Sequence, residues 1–213
     1  TSTGLNSMFS NTTGYENSSY GSNSMVTNST GQKNSGFGAG ALAYNTSGFN
    51  NTALGYVALY NNQVGYSNVA IGTHALFLNT IKNNLVAIGD SALYNNGTAS
   101  AFPAGIDGTA NTAVGSKALY ANTTGHYNTA NGFGAMSANT TGNDNTGIGT
   151  SALSLNTTGF QNTAVGSGAL SKNTTGLVNT AVGANSLLNN NNGIANSAFG
   201  LHSLSANTDG ANN

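Results

Sequence analysis

The sequence predicts an all-β fold, a parallel β-solenoid of about twelve 17-residue coils. Three observations predict it. One glycine recurs at a fixed spacing, large apolar residues hold only a few places in each period, and charge is almost absent. Gly4, Gly21, Gly38, Gly55, Gly72 and Gly89 are each 17 residues apart, and after one step of 26 the spacing resumes at Gly115, Gly132, Gly149, Gly166, Gly183 and Gly200. A fixed period of this length marks a repeat architecture. The long step leaves nine residues over (26 − 17 = 9), so the twelve copies carry one insertion. The chain therefore reads as a single repeat domain over 1–213, with coils in 1–96 and 111–213 and an inserted loop at 97–108.

Composition narrows the classes further. Charged residues make up 4% of the chain, against about 25% in an ordinary soluble domain. Disorder would normally go with high net charge, and here the formal net charge is −1. With no cysteine, disulfides and thiolate sites are excluded. The lysines Lys33, Lys82, Lys117 and Lys172 are scattered and arginine is absent, so no basic patch is offered to nucleic acid. No run of about 18 apolar residues predicts a membrane insertion. The chain begins within a repeat at Thr1 and reads as a slice of a longer one.

Copies such as Asn111 to Tyr127 and Asn162 to Val178 share the pattern N-T-A-V-G-x-x-A-L-x-x-N-T-T-G-x-x. Position 5 is Gly, position 8 Ala or Ser, position 9 Leu or Met and position 12 Asn in all twelve copies. Position 4 is large and apolar or aromatic in ten of twelve, with Thr3 and Asn131 the exceptions. Position 15 is Gly in ten of twelve; Lys82 replaces it once and the insertion interrupts it once. Two large apolar positions and two turn clusters per period suit short strands rather than a helix. Along a strand, positions 2 and 4 face one way and position 3 the other. Placing the large residues of positions 4 and 9 inside gives a narrow dry core, with the small residues of positions 3 and 8 on the other face. The glycines at 5 and 15 supply positive φ or close backbone approach at corners. The invariant Asn at position 12 predicts a ladder of stacked amides. Strands ~4.8 Å apart make twelve coils a rod about 55–60 Å long.

Such a core is thin. Burying a large side chain yields roughly 1.5–3 kcal/mol, while ordering each residue costs about 1–2 kcal/mol. Association of chains would supply the missing burial, through the small residues at positions 3 and 8 or through an aromatic stripe at position 10. That stripe is Phe9, Tyr60, Phe77, Tyr94 and Tyr120. Its rings suit a protein interface or the faces of sugar rings. The insertion holds Phe102 and the chain's single proline, Pro103. Insertions in solenoids map to loops on one face, often the binding face. These seven residues are the candidate partner-binding set.

No catalytic or cofactor-binding constellation stands out. His74 and His202 lie seven coils apart, and the carboxylates Glu16, Asp90, Asp107, Asp144 and Asp209 are dispersed, so neither a metal site nor an acid–base pair is expected. The Asn-Thr-Thr sequons at Asn11, Asn122, Asn139, Asn156 and Asn173 fall on the expected ladder and read as structural.

Asn162-Thr-Ala-Val-Gly166, Ala169-Leu170 and Asn173-Thr-Thr-Gly176 resemble the 17-residue repeats of phage-type tail-fibre and bacterial surface proteins. Asn68-Val-Ala-Ile-Gly72 and Leu85-Val-Ala-Ile-Gly89 are similar to head repeats of trimeric autotransporter adhesins. The resemblance implies a left-handed β-roll, a homotrimer, an extracellular, cell-surface or tail-fibre location, and attachment to a host-surface glycan or protein receptor. A second class is an ice-binding solenoid, which needs outward threonines two residues apart on a flat strand. The register above turns position 2 inward and opposes that reading.

Overall fold

A computed structural model describes residues 1–97 and 107–213; Phe102 and Pro103 of the inserted loop lie outside the described residues. Twelve short strands, from Ser2–Thr3 to Ser197–Phe199, form one parallel sheet in strict sequence order. No residue among those described is helical. Each full strand covers repeat positions 2 to 4 and pairs with residues one period on, as Thr163 with Thr180, Ala164 with Ala181 and Val165 with Val182. Across the insertion, Val86, Ala87 and Ile88 pair in register with Thr112, Ala113 and Val114. The nine extra residues are absorbed without disturbing the sheet. The expected parallel β-solenoid is the fold.

The register is the reverse of the one expected. Position 3 faces the interior, where Ala113, Ala164 and Ala181 are fully buried, and positions 2 and 4 face out. Ile148 and Phe199, both at position 4, are 40% and 69% exposed. Positions 8 and 9 are both buried from Ser24 and Met25 to Ser186 and Leu187, so position 9 is core as expected in all but the end coils, where Met8 is partly buried and Leu204 is 39% exposed. The small residues at 3 and 8 are thus unavailable as an interchain face. The reason is steric. Position 3 holds only Ser, Ala and Gly, and where Met25 stands opposite, even a β-carbon on Gly36 would lie 2.9 Å from Met25 Cε and 2.9 Å from Ser24 Oγ, so the space opposite positions 8 and 9 has no room for a large side chain. Alternation, which would have separated positions 8 and 9, fails between them because Leu170 sits at φ 50, left-handed backbone rather than strand.

The corners follow from backbone chemistry. Gly166 has φ 131, and a β-carbon there would meet Gly183 C and O at 2.6 Å, so position 5 admits only glycine. Position 15 is a close-approach glycine. A β-carbon on Gly176 would fall on Asn173 Oδ1 and within 2.6 Å of the Gly193 carbonyl oxygen.

The position 12 ladder forms. Asn173 Nδ2 donates to Asn156 Oδ1 (2.8 Å), and Asn190 Nδ2 to Asn173 Oδ1 (2.9 Å). The sequon asparagines Asn122, Asn139, Asn156 and Asn173 are fully buried in it. A second ladder, not expected, runs through Asn at position 1. Asn162 Nδ2 donates to Asn145 Oδ1 (3.1 Å) and to the Gly176 carbonyl (2.8 Å), a carbonyl that also accepts from Asn173 Nδ2 (3.1 Å). Most coils thus close by clamping one carbonyl between two asparagines.

Both ladders break beside the insertion. Asn79 Oδ1 is buried with no hydrogen-bond partner, and position 1 of the next coil is Leu85, which has no amide. Asn96 Nδ2 donates instead to the Gly108 carbonyl (2.8 Å), so Gly108 takes the position 15 role in that coil. The side chain of Lys82 fills the corner, where a β-carbon on Gly97 would come within 2.9 Å of its Cγ. The feet of the loop are tied forward, Gly97 N–H to Thr123 O (3.1 Å) and Gly108 N–H to Thr124 O (2.8 Å).

Candidate functional site

Stacking identical positions coil on coil turns one residue type into a surface. At position 10, Tyr60, Phe77, Tyr94 and Tyr120 form a continuous ring stack with centroids 5.3, 5.2 and 5.3 Å apart and interplanar angles of 10°, 16° and 21°. Near-parallel rings at this spacing are favourable beyond the area they bury. The stack passes the insertion unbroken. Phe9 stands apart from it, 77% exposed, because Val26 and Ala43 hold position 10 in the two intervening coils. Of the seven candidate residues, the structure joins four, isolates one and leaves two outside the described residues.

Further rings join the stack. Tyr44 meets Tyr60 edge-on (5.0 Å, 86°), His74 meets Phe77 edge-on (5.3 Å), and Tyr56 meets His74 edge-on (5.9 Å, 89°). Tyr44 and Tyr56 escaped the sequence reading because they lie at positions 11 and 6 and not in the stripe. Their signal was enrichment of aromatics within the same coils. The Tyr60 phenol is held above its ordinary pKa, first by a hydrogen bond with the Tyr44 side chain, then by burial and by the neighbouring charges that Tyr44 and Tyr56 would carry.

The second candidate surface is the outward face of the sheet. Position 2 presents Thr, Ser or Val, from Ser18 to Ser197, and position 4 presents the apolar rank Tyr20, Phe37, Leu54, Ile71, Ile88 and onward to Phe199. Tyr20 and Phe37 stack at 5.1 Å on this face. Phe49 and Tyr66, at position 16, stack at 4.8 Å on another side of the coil. The signal for the outward rank was its tolerance. Position 4 accepts Tyr20, Asn131 and Phe199, whereas position 3 never exceeds serine or alanine in size.

Among the described residues, no group of three or more His, Asp or Glu side chains gathers as a metal site, and no helix is long and apolar enough to cross a membrane. What the geometry offers is two long repetitive surfaces, one of stacked rings and one of alternating small polar and large apolar ranks. No family model, no curated protein and no solved structure matches the chain.

Proposed function

We propose that this chain is a non-catalytic structural and adhesive segment of an extracellular fibre, a surface or tail-fibre shaft, working as a homotrimer that attaches to a host-surface glycan or protein. The observation that carries the reading is the apolar rank at position 4. It runs from Tyr20 to Phe199 across eleven strands of the sheet, broken once by Asn131, and stays solvent-exposed at Leu54, Ile88, Ile148 and Phe199 in the single chain. Contiguous exposed apolar surface of this extent marks an interaction face. A three-fold axis along the rod lets each coil meet its own copies at one height. The number three rests on the resemblance of the repeat, and the need for association rests on the exposed rank. Sedimentation equilibrium tests it: a mass near 64 kDa (3 × 21.2 kDa) is expected. A stable folded monomer at low concentration overturns the proposal.

The register also favours a second reading, ice binding. Positions 2 and 4 point outward together, two residues apart on each strand, as in Thr163 and Val165. The bulk of Tyr20, Phe37 and Phe199 at position 4 opposes the flatness that an ice plane requires, so the protein interface is preferred. Thermal hysteresis in a purified sample separates the two.

A further inference from the structure

We infer that coils 2 to 4 carry a binding groove for one ring of a neutral saccharide, built around the missing side chain of Gly40. This inference rests on the adhesive reading and names a ligand class for it. Gly40 is repeat position 7, where the coils on either side carry Asn23 and Val57. Its absent side chain leaves a cavity of about 180 Å³ lined by Ser22, Asn23, Gly40, Tyr56, Val57 and Tyr60. A β-carbon on Gly40 would lie 2.9 Å from Val57 Cγ1 and 3.2 Å from Tyr60 Cε2, so any side chain there closes the groove.

The walls are preorganised. Tyr60 is held by the Phe77 ring stacked at 5.3 Å and by Tyr44 edge-on at 5.0 Å. Tyr56 is braced edge-on by His74 at 5.9 Å. Rings fixed by their neighbours bind without losing side-chain freedom. A pyranose has an apolar C–H face that fits an aromatic ring and a hydroxyl rim that needs donors and acceptors. The rim chemistry is present in the hydroxyls of Ser22 and Tyr56 and in the Asn23 amide. Asn23 Oδ1 accepts from Asn6 Nδ2 (3.1 Å), which leaves its own N–H donors for a ligand. No Asp, Glu, Lys, Arg or His lines the groove, so no lining side chain offers a charge to pair with an anionic sugar. Pockets for drug-sized ligands begin near ~300 Å³; this smaller space suits a single ring of a longer chain lying across the surface.

The test uses the purified assembled chain, titrated with lactose and diacetylchitobiose as neutral probes and sialyllactose as the anionic one. Backbone and side-chain amide shifts of Gly40 and Asn23 are followed by NMR. A neutral probe is expected to shift both resonances and saturate, and Tyr56→Ala and Gly40→Asn are each expected to weaken that binding at least tenfold without changing assembly mass. Tyr56 is exposed, and Asn occupies position 7 at Asn6, Asn23 and Asn185 with φ 54, 55 and 54, so both variants are expected to fold, Gly40→Asn with a lowered melting temperature because its β-carbon presses on Val57 Cγ1. Unchanged binding in both variants, equal binding of the sialylated probe, or no binding of either neutral probe overturns the groove. Sedimentation of the same samples keeps the outcomes apart, because a trimer that binds no sugar removes the groove and leaves the fibre, and a monomer that binds does the reverse.

Discussion

Met136 fills the space that Gly147 leaves: a β-carbon on Gly147 would lie 3.1 Å from Met136 Cγ and 3.3 Å from its Sδ. Met25 stands in the same relation to Gly36, one coil on. At the first boundary Met8 faces Ser19, and at the remaining ones the facing pair is Leu with Ala, as in Leu153 and Ala164. The repeat conserves volume across the coil boundary, trading a methyl group on the strand for reach on the opposite wall.

A double-mutant cycle follows from that pairing. Met136→Leu alone leaves a gap and Gly147→Ala alone overpacks, each expected to cost about 1 kcal/mol. The double variant restores the pair used in other coils and is expected to recover most of the loss, a coupling of about 1 kcal/mol. Urea unfolding of the four proteins measures it, and strict additivity would count against the compensation.

Ser186→Ala is expected to stabilise the chain by about 1 kcal/mol. Ser186 Oγ is buried without a hydrogen-bond partner, and an orphaned buried hydroxyl costs about 1–3 kcal/mol. Position 8 is Ala in eight of twelve copies. The contrast is Ser24, whose Oγ receives a 2.8 Å hydrogen bond from Ser19 Oγ across the coil, so Ser24→Ala is expected to destabilise. Thermal melts of both variants should move in opposite directions.

Asn162→Ala is expected to cost about 2–4 kcal/mol, because it strips partners from buried groups. Its Nδ2 serves Gly176 O and Asn145 Oδ1, and its Oδ1 accepts from Asn179 N (3.0 Å) and Asn179 Nδ2 (3.1 Å). A denaturant midpoint within error of the parent's would show that the position 1 ladder carries little stability.

The two faces of one strand give opposite outcomes. Ala164→Val, at an interior position with no room, is expected to unfold or strongly destabilise the chain. Ile148→Asp, on the outward rank, is expected to leave the fold intact and dissociate the assembly. Circular dichroism with sedimentation distinguishes them, and an Ile148→Asp protein that stays associated would remove position 4 from the interface.

Tyr60 supplies a pH test. Its phenol titrates above the ordinary tyrosine value, chiefly through the hydrogen bond with Tyr44. A raised folded pKa gives stability that is complete below the unfolded value near ~10 and is lost as pH climbs through the folded value. Tyr44→Phe is expected to bring the Tyr60 titration down toward the ordinary range, read from tyrosine ring-carbon NMR shifts. No movement would mean that the bond is not the cause.

Most of the fold was legible because periodicity survives any error of register. The glycine spacing set the coil length, the strand count and the place of the insertion, and the invariant Asn marked the first ladder. The inside–outside assignment was not legible from hydrophobicity alone. Val165 and Ala164 are both apolar, and the larger one belongs outside because the coil is too narrow to hold it. Size variability down each column carried the answer: Tyr20, Leu54 and Asn131 share one column, while the neighbouring column holds only Ser, Ala and Gly. The second ladder was masked by Leu85. The aromatic stripe was legible at Tyr60, Phe77, Tyr94 and Tyr120, but its bracing by Tyr44, Tyr56 and His74 depends on how coils turn, which spacing does not encode.

The in-register stacking has a consequence for how such a molecule changes over generations. The backbone pairing repeats from coil to coil, so gaining or losing 17 residues adds or removes a storey of about 4.8 Å while keeping the backbone register above and below. Length becomes a countable trait, adjustable in units of one coil. The break at Asn79 and Leu85 is the exception. Copies on either side of it are not interchangeable with the coil that carries the insertion, and so that coil is the fixed landmark against which the others can multiply.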